Sequence, residues 1–375
     1  MKTDPTIKIS GRKIGNGNPC YIVAELSCNH HQKKQEAFEL IKAAKKAGVD
    51  AVKLQTYKPE TMTINSNKKW FWVRLSDDPG SWDGKTLFDI YKKAFTPWVW
   101  HKELAKYAKK VGITLFSTPF DETAVDFLEN EIDPPAYKIA SYELLHVPLL
   151  RKVAKTGKPV IVSTGFGSLE EIRFAYKVLK DAGVKELAFL HCVTGYSDKP
   201  KAEDMNLATI YDLKKRFGVV SGFSYNNFDK GLRFPIAAVK YGASIIELHL
   251  ILNRKLGGFD VRFSSEPNEL ANMIRNTRKI EKNKSKSFTN IEKMAFGKPH
   301  YGPTSKSDEE IRLLRRSIFI TKDVKAGDIV TKQNVQIFRP AFGMSPMSWD
   351  RIIGKSFSRD VERGTPLSKD FIINF

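Results

Sequence analysis

Two short apolar stretches, Ala51-Val-Lys-Leu-Gln-Thr-Tyr57 and Tyr137-Lys-Ile-Ala-Ser-Tyr-Glu143, have a lysine set among residues that favour β-strands. Residues two apart in a strand share a face. Lys53 and Gln55 therefore point the same way, and Ser141 and Glu143 share a face at the end of the second stretch. An ammonium inside a strand with no water-facing side must find a partner or lose its charge. Two such strands suggest a cationic pocket for a small anionic substrate; the plain alternative is a lysine on the solvent face of an edge strand. Ammonium groups mixed with hydroxyls hold phosphate or carboxylate well. Thr118, Ser163 and Ser224 end other strand patterns and, with Ser141, would complete such a mixture. Glu25 and Glu143 would face the same mouth as acid/base groups or sugar-hydroxyl acceptors, or as counter-ions to the lysines. His249 closes the last strand pattern, where it would ligate a metal or serve as a hydrogen-bonded structural residue.

These residues need a scaffold that brings strand ends together. Eight strand patterns alternate with helix patterns between Cys20 and Leu250. The first helix shows Ala37, Leu40, Ile41 and Ala44 at helical spacing and is closed by Gly48. Residues 59–95 break the alternation with a long tryptophan-bearing insertion, of the length associated with lids or binding loops. No G-x-G-x-x-G follows the first strand. The count fits a (β/α)8 barrel better than an open doubly wound sheet. In such barrels chemistry sits at the carboxyl ends of the strands, which is where the polar residues fall.

A barrel domain is expected over 1–285, a linker over 286–312, and a small mostly β domain over 313–375. Within that last domain Lys322-Asp-Val-Lys-Ala-Gly-Asp-Ile-Val330 is echoed by Arg359-Asp-Val-Glu-Arg-Gly-Thr-Pro-Leu367, which predicts a pseudo-twofold module.

The 375 residues carry a formal charge of +20, which would suit anionic partners. The lysines, however, are scattered along helix patterns, and neither zinc-finger spacing nor an RNA-binding aromatic signature is present, so a nucleic-acid role is not expected. Cys20, Cys28 and Cys192 have no pairing pattern and read as reduced thiols. With no signal-like leader and no apolar run of bilayer length, a cytoplasmic protein without membrane contact is expected.

Together these stretches resemble the sialic acid synthase family, in which a phosphoenolpyruvate-condensing barrel is joined to an antifreeze-like (SAF) domain. The resemblance runs through Ile22-Val-Ala-Glu-Leu-Ser-Cys-Asn-His30, the Lys53 strand, Phe116-Ser-Thr-Pro-Phe-Asp121, the Lys138 strand, Val162-Ser-Thr-Gly165, Gly258-Phe-Asp260, Ser264-Ser-Glu-Pro267 and Arg339-Pro-Ala-Phe-Gly343. Within the family the chain is most similar to the pseudaminic acid synthase branch, through Leu87-Phe-Asp-Ile-Tyr-Lys-Lys-Ala-Phe-Thr-Pro-Trp98 and Glu203-Asp-Met-Asn-Leu207. The resemblance implies that C3 of phosphoenolpyruvate attacks the aldehyde of an open-chain acetamido sugar, water adds at C2, and phosphate leaves by C–O cleavage. It implies phosphoenolpyruvate contacts from Lys53, Thr118, Lys138, Ser141, Ser163 and Ser224, and action by Glu25 near the reacting carbon. Gln55, Tyr196, Glu143 and Asp260 would hold the sugar. Arg339 would reach a neighbouring subunit's site in a domain-swapped homodimer.

The family's Gly-x-Ser-x-His pattern reads Gly222-Phe-Ser-Tyr-Asn226 here. The implied divalent metal, manganese or magnesium, would then be held by His249 and Asn226, and more weakly, since an amide serves hard ions but binds transition metals less well than imidazole. Alternatives are an N-acetylneuraminate or legionaminic acid synthase, a catalytically weak sugar-binding homologue, and a Schiff-base aldolase using Lys53 or Lys138.

Overall fold

The structure, a computed structural model, describes residues 4–75, 82–283 and 287–375. The start of the leader, residues 76–81 of the long insertion and the expected domain boundary at 285/286 lie outside the described residues. An antiparallel hairpin comes first, β1 (Thr6–Ile9) and β2 (Arg12–Gly15). Eight parallel strands follow: β3 (Tyr21–Glu25), β4 (Ala51–Thr56), β5 (Thr114–Pro119), β6 (Tyr137–Ile139), β7 (Val160–Ser163), β8 (Leu187–Val193), β9 (Val220–Tyr225) and β10 (Ile245–His249). They pair in sequence order, and β10 returns to β3 to close the barrel. Among the described residues no helix is long and apolar enough to cross a membrane.

Both faces of the strands are buried, so the barrel interior changes in polarity from bottom to top. Its lower interior is apolar: Val23, Ala51, Phe116, Ile161, Leu190 and Ile245 pack together, and Ile7, Ile9 and Ile14 of the hairpin plug the base. One step further along the same faces come Glu25, Lys53, Thr118, Ser163, Cys192 and Glu247. Gly222 is required at this crowded interior, since a Cβ there would lie 2.3 Å from the Ile245 carbonyl oxygen. The outward faces meet helix stripes such as Leu40, Ile41 and Ala44 on Lys34–Ala47. Each such leucine or isoleucine stabilises the fold by roughly 1.5–3 kcal/mol. Gly48, at φ 89°, caps that helix in the left-handed conformation.

The segment expected as a linker carries two short helices, Asn290–Phe296 and Lys306–Arg312. The C-terminal module has one antiparallel pair, β11 (Ser317–Ile320) and β12 (Val335–Phe338). Its repeated halves meet at equivalent positions: Val324 and Val361 exchange backbone hydrogen bonds, both 3.0 Å. Pairing of equivalent positions satisfies the otherwise unpaired backbone of two isolated turns. The module's core includes Val147 of the helix Val147–Ala154 and packs against Phe174 and Val178. Arg151 forks onto Asp350 at 2.7 and 2.6 Å.

Candidate active site

The charged upper layer of the barrel forms the floor of a cleft of about 950 Å³ including its open mouth. Strand register accounts for the clustering: Glu25 lies beside Lys53 on one side and His249 on the other, while Glu247 lies beside Ser224. Lys53 is ion-paired with Glu25, donates to Thr118 Oγ1 at 2.9 Å, and lies 3.6 Å from Glu247. Lys138 donates to Glu247 Oε1 at 2.8 Å, and Ser224 donates to the same oxygen at 3.4 Å. All four charged groups are buried. Two ammonium groups and two carboxylates thus share one desolvated layer and make its charge tolerable.

Burial and neighbours pull these groups apart. Burial disfavours ionisation of Glu247, but Lys138 and Lys53 outweigh it and hold the carboxyl down at about 2. At Glu25 burial wins over Lys53, and the charge of Glu247 adds to it, so the carboxyl is raised. Lys138 is lowered, chiefly by burial. Lys53 is raised, because Glu247 and Glu25 overcome its burial. His249 is lowered to about 4 by burial, against the opposing pull of Asp260, and is a neutral imidazole near neutral pH.

Several buried atoms of this layer have no hydrogen-bond partner: Ser163 Oγ, Glu247 Oε2 and His249 Nδ1. Unsatisfied buried polar atoms are costly, and here all belong to residues lining the cleft. Above Ser163 the chain turns through Gly165, whose N–H donates to Ser141 Oγ at 3.1 Å. A Cβ at Gly165 would come within 2.9 Å of Ser141 Oγ and 2.8 Å of Thr194 Oγ1. A side chain there would crowd the hydroxyl-rich niche.

The cleft's outer wall is of another kind. Tyr57, Tyr91, Phe120, Tyr142, Tyr196 and Phe263 surround it, with Met62, Leu87 and Ile90 between them. Arg339 enters this aromatic wall from the C-terminal module. It donates to Tyr91 Oη at 3.2 Å, and its guanidinium lies 4.3 Å from the Tyr142 ring centre. Its Nε is buried without a partner. Tyr196 stacks on Phe263 at 4.4 Å and shares a 3.0 Å hydrogen bond with Tyr142.

Thirteen residues singled out from the sequence line this one cleft: Glu25, Lys53, Gln55, Thr118, Lys138, Ser141, Ser163, Tyr196, Ser224, Asn226, His249, Asp260 and Arg339. Glu143, expected at the same mouth, is not among the residues that line it. Strand β6 stops at Ile139, and Ser141–Glu143 form a 3-10 turn that carries the glutamate away from the mouth. There it is wholly buried and accepts from Arg316 Nε at 2.9 Å and from Arg339 Nη2 at 2.8 Å. It is a counter-ion for two guanidiniums. Arg339 is anchored beside the cleft through its backbone. The Arg339 N–H donates to Met62 O at 2.9 Å, Thr63 Oγ1 donates to Arg339 O at 2.8 Å, and the side chain fills the cleft of its own chain.

Glu247 was missed in the sequence. The signal was present, since Glu247 and His249 alternate in Ile245-Ile-Glu-Leu-His249 as Lys53 and Gln55 do in their strand. Ser117 and Thr164, which also end strands, face away from the cleft and donate to Leu54 O and Leu190 O.

For a divalent metal the donors would be His249, whose buried Nδ1 has no hydrogen-bond partner and lies 3.5 Å from Asp260 Oδ2, and Asn226, which lines the same cleft. No group of three histidine, cysteine, aspartate or glutamate side chains is poised for a metal among the described residues. One imidazole, one carboxylate and one amide fit a hard ion that keeps water or substrate in the rest of its shell.

Comparison with known proteins adds a second line of evidence. The model of the NeuB family matches residues 40–288, and that of the SAF domain residues 315–373. Pseudaminic acid synthase of Campylobacter jejuni is 37% identical over 361 residues, covering 95% of this chain and 98% of that protein. Pseudaminic acid synthase of Helicobacter pylori is 36% identical over 354 residues, covering 94% and 98%. The crystal structure of the spore coat polysaccharide biosynthesis protein SpsE from Bacillus subtilis is similar with a TM-score of 0.83 at 28% identity, covering 99% of both chains.

Proposed function

The chain belongs to the NeuB family and is a carbon–carbon bond-forming synthase, and from that premise we propose that it condenses phosphoenolpyruvate with an acetamido-sugar aldehyde of the pseudaminic acid type, releasing phosphate. The observation that carries this reading is the floor of the cleft. Two buried lysines, Lys53 and Lys138, converge with Thr118, Ser141, Ser163 and Ser224 on one niche. Three carbons with a phosphate and a carboxylate need such a mixture of cations and hydroxyl donors. The lysines are held by Glu25 and Glu247 until the substrate competes for them.

In the proposed reaction C3 of phosphoenolpyruvate forms the new bond to the aldehyde carbon, whose oxygen takes up a proton and becomes a hydroxyl. Water then adds at C2 and gives up one proton; the hydroxyl so formed gives up its other proton as it becomes the keto group, and phosphate departs with the electrons of the C–O bond. Glu25, raised by burial, is suited to take the proton of that water, since a carboxyl tuned upward works nearer neutral pH. When a divalent cation is bound by His249, Asn226 and Asp260, it supplies Lewis-acid polarisation of the aldehyde oxygen. The aromatic wall would pack the sugar's acetamido methyl groups, and Arg339 would donate to an acetamido oxygen. That wall, together with the likeness to pseudaminic acid synthases, favours a diacetamido sugar over N-acetylmannosamine.

The test is phosphate release from phosphoenolpyruvate with manganese and a panel of diacetamido-hexoses and N-acetylmannosamine. Release should require the sugar and be fastest with a diacetamido-hexose. Absence of release with every sugar of the panel would sink the reading. A ketoacid adduct trapped by borohydride would replace it with Schiff-base chemistry on a lysine.

A further inference from the structure

Strand β8 ends at Val193, yet the next three residues run on as part of the cleft wall, with Thr194 and Tyr196 lining it. With no strand beside them, their buried backbone groups need partners from elsewhere. The partners come from the connection between the two domains. Thr194 N–H donates to Asp308 Oδ1 at 3.2 Å, and Ser307 Oγ donates to Gly195 O at 2.8 Å. The other carboxylate oxygen of Asp308 accepts from Thr304 N–H at 2.9 Å and Thr304 Oγ1 at 3.3 Å. On the far side of the segment, Asn227 holds Val193 O and Ser197 N–H at 3.0 and 2.8 Å.

Asp308 is completely buried, and none of the partners just named is a cation. A carboxylate is expensive to bury unless its oxygens are fully used. Burial pushes this one up to about 6 against its three hydrogen bonds and with the added repulsion of Asp204. An apolar side chain of similar size would leave the Thr194 and Thr304 donors unpaired. What the carboxylate does supply is a fixed acceptor on each side, one for the wall and one for its own loop. Tyr196 itself sits at φ 49°, a strained conformation for tyrosine that persists only where its surroundings impose it.

We propose that Asp308, with Ser307, is a positioning residue that clamps residues 194–196 to the interdomain connection and so fixes Thr194 and Tyr196 against the sugar end of the cleft. This rests on the reading of that end as the sugar site. Asp308→Asn keeps the shape but places an amide N–H₂ against a donor. In the full-length protein, amide hydrogen exchange over 193–197 should accelerate about tenfold, from the loss of one buried charge-assisted acceptor. The KM for the acetamido sugar should rise by a similar factor, about tenfold, while that for phosphoenolpyruvate stays within about twofold. Should the variant fail to fold, Ser307→Ala removes one bond of the clamp and should accelerate the same exchange about threefold. Unchanged exchange at 193–197 in a folded variant overturns the clamp, as does a parallel rise in both KM values. If the wild-type protein turns over none of the sugars, the reading of the cleft fails instead, and the exchange measurement still decides the clamp.

Discussion

The floor and the wall of the cleft are built on opposite principles. The floor is made of strand residues whose positions follow from register, and its charges are short-range and mutually paired: Lys53 with Glu25, Lys138 with Glu247. The wall is made of loops, a 3-10 turn and an arginine 196 residues downstream of Glu143, held by that glutamate and by aromatic faces. The floor can hold an anion with little rearrangement because the barrel fixes it. The wall's geometry depends on how the C-terminal module docks. Damage to the floor should therefore abolish one substrate's binding, and damage to the wall should weaken the other's.

The largest effect is expected at Lys53. Lys53→Ala removes a cation from the niche and leaves Glu25 without its partner and Glu247 with only Lys138. Phosphoenolpyruvate affinity should fall by about 100-fold or more, given the strength of charge-assisted bonds to phosphate. Calorimetric titration measures this, with thermal unfolding as the control for folding. Unchanged affinity would remove this lysine from the site and with it the distinction between floor and wall.

A smaller, sharper test sits in the wall. Glu143→Gln keeps the volume but takes away the charge that Arg316 and Arg339 share at 2.9 and 2.8 Å. As a counter-ion, Glu143 acts only through Arg339, so KM for the sugar should rise about tenfold with kcat within a few-fold. An acid/base role would instead cost about 100- to 10,000-fold in kcat. Steady-state kinetics with both substrates varied separates the two, and a collapse of kcat at unchanged sugar KM would return Glu143 to the reacting groups.

The same division governed what could be read before the fold was known. Barrel closure and the convergence of Lys53, Thr118, Lys138, Ser163 and Ser224 were legible because a period of two and a strand end are local properties of the sequence. Glu247 obeyed the same rule and was overlooked among the apolar residues of its strand. Glu143 was misplaced because the rule was carried past Ile139, where the strand had already given way to a turn. The aromatic wall and Asp308 had no local signal at all. Their roles come from contacts such as Tyr142 with Tyr196 and Thr194 with Asp308, 54 and 114 residues apart in the chain.

Asn226 lies where floor and wall meet and tests the boundary between them. Its amide nitrogen faces Cys192 Sγ at 3.7 Å, a weak contact whose loss should cost little stability. His249, on the neighbouring strand, presents a buried imidazole nitrogen with no partner. If the two side chains share a metal, Asn226→His replaces a weak amide oxygen by an imidazole and should tighten manganese binding about tenfold. Binding of the metal alone, followed by calorimetry without substrate, reads this directly, and phosphoenolpyruvate affinity should stay the same because Lys53 and Lys138 are untouched. An unchanged manganese affinity would mean that position 226 does not face the ion, and His249 with Asp260 would have to hold it from the floor alone.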